Sequence, residues 1–206
     1  MLGLIKYNLK LIMIPSYVMG WFFLLCVPFV FSFNWLIEPE MTRITESVFI
    51  LVGIIWCCSL ANHEKSVPIK DLVFQMPVKQ SFILVIRMFI ILVSMIIGFS
   101  LLLILAKVQG ASFNFFKLLS GSIVGALTLG LLSLMIAQLT NEIAIGYIVS
   151  FAYYYMELTT KGAVTRYFYL FGLIYEILYN KLLLLGVCLV LAVLNGFILN
   201  KKIEGQ

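Results

Sequence analysis

Long apolar runs and short polar interruptions alternate along the chain. The apolar runs cover residues 17–37, 47–61, 82–106, 117–139, 143–156 and 182–199. A helix that crosses a bilayer needs about 20 predominantly apolar residues, and the short run at 143–156 would need local thinning of the bilayer. We therefore predict an all-α fold, a polytopic membrane helix bundle with about six transmembrane helices in a single domain over residues 1–206.

The longest polar interruption lies at residues 62–80, between the second and third runs. Ser66 and Pro68 suit the start of a helix, and Pro77 suits its end. The helix between them would have about ten residues and a length of about 15 Å. Its apolar positions share one face at i, i+3, i+4 and i+7, and they are Ile69, Leu72, Val73 and Met76. Spacing alone leaves open whether this face lies on lipid headgroups, on the protein's own spans or on a partner.

Residues 1–14 mix apolar positions with Lys6, Asn8 and Lys10, which predicts a short N-terminal interfacial helix before Pro15. A signal peptide is the alternative interpretation. We disfavour it because the run at 17–37 is long enough to span and no small-residue cleavage pattern lies near its end. We expect this run to form the first span.

Residues 157–181 are rich in aromatic side chains but are interrupted by Gly172 and Glu176. Aromatic residues favour the membrane interface. The segment therefore predicts a short extracellular re-entrant helical element before the last span. A seventh span is the alternative, but it would move Lys201 and Lys202 to the outer side, against the preference of basic residues for the cytoplasmic side.

Composition supports the membrane assignment. With 63% hydrophobic and 11% charged residues, the chain has too little polar surface for a soluble globule. The net charge of +5 is explained by lysines at span ends beside anionic headgroups, so we expect no nucleic-acid partner. The four cysteines lie in apolar runs without C-x-x-C spacing, which argues against a disulfide framework or a metal site.

The distribution of basic residues predicts that both termini are cytoplasmic. Six spans would place eight basic residues inside and six outside. The inner residues are Lys6, Lys10, Lys65, Lys70, Lys79, Arg87, Lys201 and Lys202, and the outer residues are Arg43, Lys107, Lys117, Lys161, Arg166 and Lys181.

We expect no charged residue in the middle of a span. We assign Glu38, Glu40, Arg43 and Glu46 to the loop before the second span. Arg87 lies near the start of the third span, and its side chain can extend to the interface. A charge at the bilayer centre costs about 2.5–3.5 kcal/mol and normally marks an ion or proton path. Proton-coupled transport is therefore not expected.

Motifs for catalysis are absent from the sequence. It has no G-x-x-x-x-G-K-[ST] loop, no G-x-S-x-G elbow and no H-E-x-x-H pair. The single histidine, His63, has no second histidine with which to bind a metal, and the neighbouring Glu64 is most simply part of a solvated loop. We expect no catalysis on this chain.

The span arrangement and two local patterns resemble the permease subunits of ABC type-2 exporters. The patterns are Glu64-Lys65 and the turn at Met76-Pro77, which are similar to an acidic-basic start and a Leu-Pro-Val-like turn in the family's loop. The glycine that the family often has between them is missing, since Ser66-Val67-Pro68 stands there. The similarity in topology covers nearly the whole chain.

The resemblance implies that residues 62–80 form a cytoplasmic coupling helix that docks on a separate ABC ATP-binding subunit. The docking residues would be Glu64, Lys65, Ile69, Leu72, Val73, Met76 and Pro77. ATP and Mg would be bound by the partner subunit, with no cofactor on this chain. A second permease copy or a homologous permease chain would complete the pathway, and Phe168 and Phe171 would belong to an extracellular gate.

We therefore expect a multi-pass permease of the cell membrane that exports a hydrophobic or amphipathic compound, such as an antimicrobial or other peptide. Two alternatives remain open, a membrane-embedded immunity or assembly protein that binds a partner without transport, and an unrecognised intramembrane enzyme. A neighbouring gene with a phosphate-binding loop would favour the exporter. Turnover of a lipid or peptide without ATP would favour the enzyme.

Overall fold

The computed structural model describes residues 15–64, 80–165, 168–174 and 178–204. Within these ranges the chain is all-helical and contains no strand. The helices are α1 (Pro15–Val30), α2 (Glu38–Ala61), α3 (Gln80–Val108), α4 (Phe115–Thr140), α5 (Ile143–Thr160) and α6 (Leu178–Glu204). The predicted interfacial helix at 1–14 lies outside the described residues.

Helix α2 begins well before the predicted second span. Its N-cap is Ile37, Pro39 lies in its first turn, and the Glu40 carboxylate accepts a hydrogen bond from the Ile37 N–H at 3.3 Å. The predicted loop through Glu46 is therefore wrong, because proline is favourable in a first turn and no glycine or proline follows to end the helix. The helix passes through a π-helical turn at Thr45–Phe49, and its last residues, from Ser59, belong to a 3-10 turn at Ser59–Glu64.

Helix α1 is shorter than the predicted first span, which extended to residue 37. It ends at Val30, two residues after Pro28. Residues 31–37 are apolar but form a connection in which Phe33 is buried and Trp35 has a φ of 57°. This part of the prediction is wrong because hydropathy does not distinguish a spanning helix from an apolar loop packed on the bundle.

The remaining helix ends agree more closely with the predicted runs. The polar interruption between the runs at 117–139 and 143–156 forms a turn, with Asn141 in the left-handed region at a φ of 58°. Residues 161–165 and 168–174 form turns, so the helical element predicted within 157–181 is wrong for the described part. The ends of that segment, Glu157 and Lys181, belong to α5 and α6.

Helix α4 is the centre of the bundle and packs against α2, α5 and α6. The closest approach is to α2, where a Cβ atom added to Gly53 would lie 1.9 Å from the carbonyl oxygen of Ala126. A Cβ atom on Gly130 would lie 2.6 Å from the carbonyl oxygen of Gly53. Small residues thus allow the two backbones to touch, which is how helices in lipid gain packing energy.

The outer surface of the bundle is apolar. Among the described residues, four helical segments are long and apolar enough to cross a membrane, namely Glu38–Ala61, Phe82–Val108, Phe115–Thr140 and Tyr179–Lys201. Exposed large side chains on α3 and α6 include Val85, Phe89, Ile97, Leu101, Leu189, Val193 and Phe197. An exposed apolar surface of this extent is not expected on a protein dissolved in water. The protein is a membrane protein whose helices contact the lipid bilayer.

One end of the bundle carries the loops at 31–37 and 109–114 and the turns at 161–165 and 168–174. The Trp35 N–H donates to the Gln109 carbonyl at 3.4 Å, and the Ser112 N–H donates to the Leu36 carbonyl at 3.0 Å. We call residues 168–174 the aromatic loop, and this end of the molecule the aromatic-loop end.

The opposite end carries the start of α1, the end of α2, the start of α3 and the turn at 140–142. The Trp56 indole N–H donates to the Tyr17 carbonyl at 3.1 Å, and the Tyr147 hydroxyl donates to the Ile55 carbonyl at 3.2 Å. Helix α6 also ends here, since Asn195 in its last third bonds to the Leu131 carbonyl in the second half of α4. Both ends of the described chain therefore lie on one side.

Candidate functional site

The predicted docking residues lie almost entirely outside the described part of the chain. These are Lys65, Ile69, Leu72, Val73, Met76 and Pro77. Glu64 ends the 3-10 turn after α2, but its side chain also lies outside the described residues. The docking assignment therefore stays a prediction.

The two predicted gate residues have different environments. The side chain of Phe171 is 2% exposed and lies edge-on to the rings of Tyr154 and Tyr169, at centroid distances of 5.5 and 5.6 Å. Phe168 is 46% exposed. The aromatic loop was expected at the interface, but most of it is packed into the bundle, so Phe171 is a core residue as well as a gate candidate.

A buried ion pair lies beneath the aromatic loop. A carboxylate oxygen of Glu46, in the π-helical turn of α2, is 2.5 Å from the Lys181 ammonium near the start of α6. The Glu46 side chain is 0% exposed and that of Lys181 is 7% exposed. The pair thus joins the second and last helices of the described chain inside the bundle.

Further hydrogen bonds complete the coordination of this pair. The Lys181 ammonium also donates to the carbonyl oxygens of Leu170 at 2.6 Å and Gly121 at 3.3 Å. The second carboxylate oxygen of Glu46 accepts the Ile174 N–H at 3.1 Å. The ammonium thus has two carbonyl acceptors in addition to its ion pair with Glu46, and a buried charge is tolerated when it is paired and hydrogen-bonded. Four elements meet here: α2, α4, α6 and the aromatic loop.

The π-helical turn that contains Glu46 is explained by the hydroxyl side chains in and beside it. The hydroxyl groups of Thr42, Thr45 and Ser47 donate to the carbonyls of Glu38, Thr42 and Arg43 at 3.1 Å or less. Such bonds compete with the helix backbone and tend to bend it. π-helical turns are frequent at functional sites, and this one turns the Glu46 carboxylate toward α6.

A further buried carboxyl group, Glu157, lies at the same end of the bundle. It is in the last turn of α5 and is 0% exposed. The Leu170 N–H and the hydroxyl groups of Tyr153 and Thr165 lie beside it. One residue of the aromatic loop, Leu170, thus presents its N–H to Glu157 and its carbonyl to Lys181.

These contacts place two charged residues inside helices, Glu46 in the first half of α2 and Lys181 in the first turn of α6. Glu46 and Lys181 are both inside helices long enough to cross a membrane. Arg87 was expected to extend to the interface, but it is 4% exposed and has an interaction partner in the protein. The expectation of no proton-coupled transport stays a prediction. A sequence signal for Glu46 was present, since the apolar Phe49 and Ile50 follow it at i+3 and i+4 and therefore share its helical face.

The described residues include no cluster of three or more His, Cys, Asp or Glu side chains that could hold a metal ion. The Glu46–Lys181 pair can hold the aromatic loop against the helices. Its charges can also interact with a polar or charged group that enters from the aromatic-loop end. No protein-family model, curated protein or solved structure matches this chain.

Proposed function

We propose that this protein is the permease subunit of an ATP-driven exporter of the ABC type-2 class. The observation that carries the proposal is the pattern at residues 62–80, where an apolar face at helical spacing lies between two helices of membrane-spanning length. A soluble partner with an apolar cleft would cover this face. The absence of a phosphate-binding loop from the sequence is consistent with ATP and Mg on that partner.

The arrangement of the two ends supports the same proposal. Helix α2 ends and α3 begins at the end where α1 begins and α6 ends. With both termini cytoplasmic, the coupling helix would face the cytoplasm and the aromatic loop would face outward. We propose the cell membrane as the location, and either two copies of this chain or this chain with a homologous one as the complete permease.

The cargo would be hydrophobic or amphipathic. In this scheme ATP-driven closure of two ATPase subunits rocks the two permease halves, and the aromatic loop lies at the outer gate. Phe168, which is half-exposed, is the better candidate for contact with cargo. Phe171 is buried and would hold the loop in place.

The docking face can be tested by placing charges on it. Changing Leu72→Asp and Val73→Asp together would put two carboxylates into an apolar contact without cationic partners, which should cost several kcal/mol of binding. We expect a normally inserted protein that loses its ATPase subunit on purification and no longer supports export. The matched control is Lys70→Ala on the opposite face, which should change neither property. A double variant that still retains the ATPase and still exports would show that this face is not the docking site.

A further inference from the structure

Glu157 is buried at the aromatic-loop end without a cation beside it among the described residues. The groups that face its carboxyl are the Tyr153 hydroxyl one turn earlier in α5, the Thr165 hydroxyl and the Leu170 N–H. Lys161, which follows directly after α5, is exposed. Glu157 differs in this from Glu46, whose charge is balanced by Lys181.

The hydrogen bonding around Glu157 is incomplete. Neither carboxyl oxygen accepts a hydrogen bond of normal geometry, and the buried Thr165 hydroxyl also lacks one. A carboxylate anion in such a place is costly, because within the described part of the chain neither a cation nor well-aligned donors replace the water that it loses. A protonated carboxyl group carries no charge and has a proton to donate to a neighbouring hydroxyl oxygen. The site is therefore better suited to the acid than to the anion.

The backbone of Leu170 connects this site to the buried ion pair. Its N–H faces Glu157, and its carbonyl accepts a hydrogen bond from the Lys181 ammonium at 2.6 Å. Leu170 is itself fully buried. A movement of Leu170 that let water reach the Glu157 carboxyl would also remove one acceptor from Lys181.

We propose that Glu157 is a proton-binding site, and that the bound proton keeps the aromatic loop closed over the end of the bundle. Loss of the proton to bulk water leaves a carboxylate that must be hydrated, so the loop opens. Lys181 then loses the Leu170 carbonyl but retains Glu46 and the Gly121 carbonyl. The loop is closed at acidic and neutral pH and opens as the pH rises. This inference does not depend on the proposed transport function.

Infrared spectroscopy of the full chain in lipid nanodiscs tests the protonation directly. At neutral pH we expect the C=O stretching band of a protonated carboxylic acid, and this band should disappear at alkaline pH. The variant Glu157→Gln should lack the band at every pH. The control Glu40→Gln removes an exposed carboxyl group at the same end of the bundle and should keep the band. Wild-type protein without the band at neutral pH, or a band that persists in Glu157→Gln, would overturn the proposal.

Hydrogen exchange of the amides at 168–174 tests the coupling to the loop. Comparing wild type with Glu157→Gln at each pH cancels the intrinsic pH dependence of exchange. Both proteins should be equally protected at neutral pH. At alkaline pH the wild-type loop should exchange about tenfold faster or more, which corresponds to about 1.4 kcal/mol in opening free energy. Equal exchange at every pH would overturn the proposal, and so would a Glu157→Gln loop that is already open at neutral pH.

If Glu157→Gln does not fold, the infrared and hydrogen-exchange measurements on the wild-type protein alone test the proposal. The amides of α4 then serve as the internal reference for exchange. Loop opening that follows the loss of the carboxylic acid band supports the proposal. A band that titrates while the exchange of residues 168–174 stays constant relative to α4 contradicts it.

Discussion

Replacing Lys181 by methionine would leave the Glu46 carboxylate buried without its cation. Methionine has a similar length and suits an apolar site, so the change removes the charge with little change in volume. Glu46 would keep a single donor, the Ile174 N–H at 3.1 Å. The carbonyl oxygens of Leu170 and Gly121 would both lose the ammonium as a donor.

The expected loss of stability follows from these contacts. Removing one partner of a buried ion pair costs about 3–5 kcal/mol, because the other charge stays desolvated. Replacing both partners by apolar residues of similar size is often neutral. The double variant Glu46→Leu with Lys181→Met should therefore be much closer to wild type than either single variant, so the two single losses should be far from additive.

The measurement is reversible unfolding in mixed detergent micelles, followed for wild type, both single variants and the double variant. The matched control is the pair Lys117–Glu38, which joins α4 and α2 at the same end at 2.8 Å but has side chains 25% and 39% exposed. Removing that pair should change the free energy of unfolding by no more than about 1 kcal/mol. If Lys181→Met costs as little as the control, or if the two single changes at the buried pair add up, the ion pair does not stabilise the fold as argued.

Two further changes test the packing. Gly53→Ala should destabilise the bundle by about 1–3 kcal/mol, because its new Cβ would meet a backbone carbonyl of α4. The control in the same unfolding assay is Gly186→Ala. It should be nearly neutral, because no atom lies within 4 Å of the added Cβ. Phe171→Ala should cost about 3–5 kcal/mol, whereas Phe168→Ala should cost less than about 0.5 kcal/mol. Equal effects of the two phenylalanine changes on thermal stability would contradict the burial of Phe171.

The periodic features of the fold were predictable from the sequence. The turn at Asn141 lies between two apolar runs and consists of residues that favour turns. The long apolar runs that became α3 and α6 need no tertiary information, because lipid exposure selects apolar side chains all along them. The start of α2 was missed although Pro39 was a usable signal for a helix start.

The site depends on long-range contacts that hydropathy does not report. Nothing in the sequence pairs Glu46 with Lys181, because the two residues are brought together only by the packing of α2 and α6 on α4. The aromatic loop shows the same limit. Its composition suits the interface as well as the interior, and only the packing of Phe171 on α2, α4 and α5 decides for the interior.

The central claim, that this chain is the membrane half of an ATP-driven exporter, is tested most directly by native mass spectrometry of the intact complex. The tagged protein would be extracted gently from the membrane in which it is normally expressed. We expect an assembly of two permease chains with two subunits that carry a phosphate-binding loop and hydrolyse ATP. A stable species that contains this chain without a nucleotide-hydrolysing subunit, under conditions that preserve known ABC complexes, would contradict the claim.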